Sequence, residues 1–199
     1  MGRRSLHTPE ELRRLILDAT RSLIETQGLP GLSAREIARL IGYSPGTLYN
    51  IFENLDDILL TLQTQLLADV AESMESVSSN DSPDQHIDAL AQAFLNFALS
   101  NRQMWNLLSA HYPDEGVQIP LAMHDRVNAI VGIIAKGLKP LMKSSNASEI
   151  ELAARALWGG VYGLTSIAVT SKGPTMTASN AEFYVRTLTS TFVKGLGSR

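Results

Sequence analysis

Cysteine is absent from the 199 residues, which excludes disulfides, thiolate metal sites and a cysteine nucleophile. No unbroken run of about 18 apolar residues is present, so no segment is expected to span a membrane. The first residues, MGRRSLHTPEEL, lack the apolar stretch of a secretory signal, and a cytoplasmic protein is the expectation. Signatures of catalysis are missing as well. His7, His86, His111 and His124 belong to no HExxH pattern, and neither a DxDxDG loop nor a GxSxG elbow occurs. Gly159-Gly160 falls inside a predicted helix with no strand before it, so it is no phosphate loop. No enzyme activity, no metal and no cofactor is therefore expected. Repeats and low-complexity stretches are also lacking.

Positive charge is scarce too, with a formal net charge of −3. Its distribution is uneven. Residues 1–53 carry seven Arg and six acids, while 54–199 carry ten bases and fourteen acids. All five Lys lie after residue 135, so the amino-terminal part relies on Arg, whose planar fork suits phosphates and guanine edges. Local contacts rather than a broad basic surface would have to carry any binding to nucleic acid.

What is present, 44% apolar and 19% charged residues, suits a globular chain with a substantial core. The pattern is helical throughout. Thr8 with Glu11 forms a capping box, Pro9 fits the first helical position, and Gly28 ends helix 1 after Gln27. Leu12, Leu15, Ile16, Ala19 and Leu23 make its apolar stripe. Ser33 with Glu36 is a second box, opening a helix whose inner face is Ile37, Ala38 and Ile41 and whose stop is Gly42. Ser44 and Pro45 then start another helix, Pro45 to Ile51, with Leu48, Ile51 and Phe52 inward and Gly46, Thr47, Tyr49 and Asn50 outward. Two short helices with a tight turn describe a helix-turn-helix, whose second helix enters the DNA major groove. An ordinary αα-corner is the alternative. Residues 1–7, with Arg3 and Arg4, read as a flexible arm.

Asn54 with Asp57 opens helix 4, Leu55 to near Val77, roughly 35 Å of lever at 1.5 Å per residue. The break Ser78–Pro83 precedes helix 5, which runs to about Ser100; helix 6 follows from Asn101 to Tyr112. Helix 7 spans about Pro120 to Met142, its last turn distorted by Pro140. Helix 8 runs from Asn146 to about Ser171, and helix 9 from Asn180 to about Lys194. The fold class is thus all-α with about nine helices: a helix-turn-helix head over 1–53 and a larger helical domain over 54–199, to which the family resemblance given below assigns effector binding and dimerisation. Helix 8 (Ala153, Ala156, Gly160, Leu164, Ile167) and helix 9 (Phe183, Leu188, Phe192) are apolar enough to meet their own copies in a C2 four-helix bundle. A monomer core is the alternative.

The first 60 or so residues resemble the TetR family of transcriptional regulators. The resemblance rests on Leu32-Ser33-Ala34-Arg35-Glu36-Ile37-Ala38, then Gly42-Tyr43-Ser44-Pro45-Gly46-Thr47-Leu48-Tyr49, then Phe52 and the entry to helix 4. It implies an all-helical homodimer, usually a repressor, released from a palindromic operator by a small effector. By position it implies DNA contacts from Arg35, Tyr43, Ser44, Pro45, Gly46, Thr47, Tyr49 and Asn50. Two departures stand out. Ile51 occupies a place where the family often has His, and Glu53-Asn54-Leu55-Asp56-Asp57 replaces a frequent Ser-Lys. The salt slope of binding should be lower in magnitude by about 0.9 per missing phosphate contact. The carboxy-terminal part is loosely similar to effector domains with a Trp-x-x-x-His-Gly run, here Trp158 to Gly163 with Tyr162 in place of His.

For the effector, Phe94, Phe97, Met104, Trp105, His111, Tyr112, Met123, Trp158 and Tyr162 together describe an apolar pocket with a few polar tips. Each is also compatible with plain core packing. The expected partners are a double-stranded DNA operator, a second copy of the chain and a small, mostly apolar molecule. A helical protein-interaction module without DNA binding, or a regulator without a small ligand, remains the alternative.

Overall fold

A computed structural model describes residues 7–78, 82–113, 115–143, 146–170 and 176–197. Among them are nine α-helices and no strand: α1 (Pro9–Gln27), α2 (Ala34–Ile41), α3 (Pro45–Leu48), α4 (Leu55–Glu75), α5 (Pro83–Ser100), α6 (Arg102–Ala110), α7 (Leu121–Leu138), α8 (Ala147–Thr170) and α9 (Ala178–Gly197). The arm with Arg3 and Arg4, residues 79–81 of the Ser78–Pro83 break and Ser171 lie outside the described residues.

Side-chain caps fix most helix starts. The Glu11 N–H donates to Thr8 Oγ1 at 3.2 Å, and the Thr8 N–H donates to Glu11 Oε2 at 2.8 Å, which completes the expected box on α1. Asn54 Oδ1 accepts from the Asp57 N–H at 2.9 Å and opens α4. Three expectations need correction. Ser33 Oγ accepts from the Glu36 N–H at 3.3 Å, but the Glu36 carboxylate turns to Arg39, 2.8 Å away, because a charged partner three residues on outcompetes a neutral amide. The regular part of α3 stops at Leu48 rather than Ile51; i to i+3 bonds, Asn50 N–H to Thr47 O and Ile51 N–H to Leu48 O, tighten the following turn. Helix α9 begins at Ala178, and Asn180 lies inside its first turn, accepting from the Thr177 N–H at 2.7 Å. As expected, Pro140 breaks the α pattern after Leu138, leaving a 3₁₀ turn over Lys139–Leu141.

Two glycines respond oppositely to a methyl group. Gly42 ends α2 at φ +74°, the left-handed region, with open space around it. Gly42→Ala should cost about 1–2 kcal/mol from backbone strain alone. Gly132, in the middle of α7, also has open space but no unusual dihedral. Gly132→Ala should add about 0.5–1 kcal/mol. Urea midpoints moving the same way in both variants would contradict these assignments.

Apolar packing forms two cores. The first gathers Leu12, Ile16, Leu23 and Ile24 of α1, Ile37 and Ala38 of α2, Leu48 of α3, and Phe52. It also takes in Ile58, Leu59, Leu62 and Leu66 from the first half of α4, and Met104 and Leu107 from α6. The second core joins Leu67, Val70 and Met74 of α4 to α5, α7, α8, α9 and Trp105 of α6. Helices α4 and α6 thus belong to both. Helix α8 is the one helix among the described residues that is long and apolar enough, by length and composition alone, to cross a membrane, and only a third of its apolar stretch is buried. Its Val161, Thr165 and Ala168 face the bundle, while Leu152 and Ile167 are 71% and 50% exposed.

Candidate nucleic-acid interface

The outward row of the helix-turn-helix is built on a buried one. Leu48 and Phe52 are inside, and the Arg13 guanidinium lies 4.2 Å over the Phe52 ring, tying the end of this unit to α1. With Leu48 fixed, helical spacing turns its neighbours outward. Ser44, Pro45, Gly46, Tyr49 and Asn50 are exposed, and Thr47 is half-buried. Arg35 is exposed on α2. Ser44 Oγ and Thr47 Oγ1 are 3.0 Å apart, so they brace one another while keeping lone pairs and a hydrogen for a phosphate. Tyr43, half-buried in the turn, has its hydroxyl 2.7 Å from His7 Nδ1. All eight residues predicted to touch DNA are exposed or half-buried, and seven of them fall in the short segment 43–50.

Charge on that surface is thinly spread. Arg39 is exposed but bound by Glu36, whose carboxylate raises the guanidinium pKa further. Asp57 turns back to accept from the Glu53 N–H at 3.1 Å, so this acid is occupied by its own helix start. The exposed hydroxyls, amide and Arg35 are groups of the kind that can bond phosphates and base edges.

The residues predicted to line an effector site divide. Phe94 and Trp105 meet edge to face with centroids 5.2 Å apart, and Tyr162 lies 5.7 Å from both Trp105 and Trp158. This aromatic column joins α5, α6 and α8. Burial raises the Tyr162 phenol pKa; a hydrogen bond with Ser166 opposes the rise and nearby Tyr112 adds to it. Phe94 and Trp158 also border a tight void of about 10 Å³, lined as well by Met74, Ile87, Leu90 and Ile134. The indole N–H of Trp158 is buried without a partner among the described residues. Met104 belongs to the core under the head, Phe97 packs against both cores, and Met123 is half-buried against the larger one. Tyr112 is 82% exposed.

His111 sits at the carboxy-terminal end of α6, facing α4. Its Nε2 is 3.1 Å from Asp56 Oδ1, an ion-pair distance without hydrogen-bond alignment. Beside it the buried Gln63 side chain of α4 donates to Leu107 O at 2.8 Å and His111 O at 3.4 Å, satisfying carbonyls that a helix end leaves open. Sequence reasoning missed Gln63, Asp56 and His7. Gln63 had a signal: a polar residue in the leucine-rich stripe of α4. Asp56 and His7 had none, since their partners lie far along the chain.

Of the residues expected at a symmetric interface, Phe183, Ile167 and Ala156 are exposed. Gly160 faces α9 of the same chain, where a Cβ would come within 2.9 Å of Leu188 Cδ2. Ala153, Leu164, Leu188 and Phe192 pack against the larger core as half-buried residues.

The family model for bacterial regulatory proteins of the tetR family matches residues 16–62, and that for the tetracyclin repressor-like C-terminal domain matches residues 87–191. The HTH-type transcriptional regulator Rv1816 of Mycobacterium tuberculosis is 28% identical over 102 residues, covering 50% of this chain and 44% of the relative. The match thus spans less than half the length of that relative. YobS of Bacillus subtilis, another HTH-type transcriptional regulator, is 25% identical over 139 residues, 69% of this chain and 67% of the relative. Among solved structures, a transcriptional regulator from Rhodococcus sp. RHA1 is similar with TM-score 0.67 and 18% identity over 96% of this chain and 98% of that one. FadR from Bacillus subtilis, solved in complex with stearoyl-CoA, is similar with TM-score 0.68 and 16% identity over 89% and 97%. At these identities the structural likeness concerns the fold.

Proposed function

Because the chain belongs to the tetR family of bacterial regulatory proteins, a family of non-enzymatic, DNA-binding transcription regulators, we propose that it acts as a homodimeric repressor in the cytoplasm, released from its operator by a small, mostly apolar effector. The observation that carries the reading is the outward row Arg35, Tyr43 to Thr47, Tyr49 and Asn50, held on a buried anchor at the start of the α4 lever. Two such heads read the halves of a near-palindrome, with recognition helices roughly 34–36 Å or a multiple apart. The exposed apolar residues Leu152 and Ile167 of α8 and Phe183 of α9 support pairing with a second copy.

The effector site we assign is the aromatic column and the void next to it, with Phe94, Trp105, Trp158 and Tyr162 at its centre. FadR, with its stearoyl-CoA, supports a ligand with an extended apolar part. Entry of such a ligand parts α5, α7 and α8, and α6 passes the strain to α4 through Gln63 and the His111–Asp56 contact. A coupling of about 1–3 kcal/mol is enough to release DNA. The tightness of the void favours one second reading, a regulator that responds to no small ligand.

Tyr49→Ala tests the DNA assignment. Operator affinity should drop by about 1–3 kcal/mol per head, with the far-ultraviolet circular dichroism spectrum unchanged. An unaltered footprint and affinity would remove α3 from the interface.

A further inference from the structure

Residues 40–52 contain no Asp, Glu, Lys, Arg or His, and the first Lys or Arg after Arg39 is Arg102. Within that uncharged stretch Ser44, Pro45, Gly46, Tyr49 and Asn50 are exposed. The Asn50 main-chain N–H donates to Thr47 O at 3.3 Å, while its side chain makes no hydrogen bond among the described residues. Base edges in the major groove differ in what they require. Guanine shows two acceptors, N7 and O6, which the donors of Arg or Lys meet, and its partner cytosine shows an N–H donor, which a carboxylate meets. Adenine shows an acceptor beside a donor, N7 and N6, which one carboxamide meets with both its ends, and thymine adds a methyl group. Residues 44–50 hold neither a cation nor a carboxylate. They hold one carboxamide, Asn50, and apolar carbon on Pro45, Gly46, Thr47 and the Tyr49 ring.

We propose that the base pairs facing residues 45–50 in each operator half-site are A·T, and that Asn50 is the specificity-determining residue, taking one adenine through N6 and N7. The inference deepens the reading of the helix-turn-helix as the DNA-binding face and rests on it. Hydroxyls do not decide between bases, since each both donates and accepts, and those of Ser44 and Thr47, 3.0 Å apart, already share a hydrogen. The cations nearest in sequence, Arg35 and Arg39, stand on α2, the helix that crosses the sugar-phosphate backbone in this motif. Arg39 also holds Glu36 at 2.8 Å, and the other flanking carboxylate, Glu53, lies beyond the buried Phe52. A guanine in place of the adenine sets its second acceptor against the Asn50 carbonyl oxygen. That contact is repulsive, and both groups lose their water to make it.

The test uses the full chain. Wild type and Asn50→Ala each select duplexes from a randomised pool, and affinities for the selected sites are measured at one salt concentration. Asn50 is exposed, so the variant keeps the fold. Wild type should select half-sites with A·T pairs at their centre, and Asn50→Ala should lose the preference for adenine at one position while keeping the others. Exchanging that A·T pair for G·C should weaken wild type by roughly 5- to 150-fold per half-site and leave Asn50→Ala unchanged. Replacing the adenine by 7-deazaadenine, which lacks N7, should likewise weaken wild type alone. Replacing thymines by uracil, which lacks the methyl group, should weaken both proteins. Guanine selected at the central positions overturns the inference and leaves DNA binding in place. Equal penalties for 7-deazaadenine in the two proteins, or identical selected sites, remove Asn50 as the reader and overturn it too. Should no duplex be selected, the regulator reading itself falls.

Discussion

Leu48→Ala should destabilise the helix-turn-helix by about 2–5 kcal/mol and abolish most operator affinity, while leaving the larger bundle folded. Leu48 is fully buried and is the one buried residue of α3. Its carbonyl accepts from both the Ile51 N–H at 3.0 Å and the Phe52 N–H at 2.9 Å, so the turn that presents Tyr49 and Asn50 hangs from the same residue. A cavity there loosens the whole outward row. Both tryptophans, Trp105 and Trp158, pack with the larger core, so their fluorescence should respond little. Amide hydrogen exchange over α1 to α3 should accelerate instead. Protection and affinity equal to wild type would mean that α3 is anchored elsewhere.

Trp105→Ala should be the most damaging single change in the larger core, at about 3–5 kcal/mol. The indole is fully buried where α5, α6 and α8 converge, edge-on to Phe94, tilted against Tyr162, and donating to Ser166 Oγ at a long 3.4 Å. Trp105→Phe keeps most of the apolar contact and loses that weak bond, so it should cost much less. Circular dichroism melts of the two variants make the comparison. Equal losses would show that the bond to Ser166, rather than ring packing, holds the junction.

Local signals made much of this architecture legible. Thr8, Glu11, Pro9 and Gly28 fixed both ends of α1, and Asn54 with Asp57 fixed the start of α4, because caps are written within three residues of what they cap. The helix-turn-helix was readable for the same reason, and its anchor Leu48 was placed inward by spacing alone. The errors arose where two local choices compete. Thr177 and Asn180 are both capping types three apart, so the pattern alone does not say which is the cap and which reaches back. Glu36 chose Arg39 over the backbone of Ser33. What stayed hidden was long-range. Nothing near His7 points to Tyr43, nothing near Asp56 points to His111, and Gly160 looked like a place for a second copy although Leu188 of the same chain fills it.

The sharing of α4 and α6 between the two cores bears on how this regulator can be re-engineered. A chimera cut after Glu53 would graft a foreign head onto the wrong floor, since Ile58, Leu59, Leu62 and Leu66, together with Met104 and Leu107, are shaped to the native one. A transplantable reading module must carry those six side chains with it, even though two of them come from beyond residue 100.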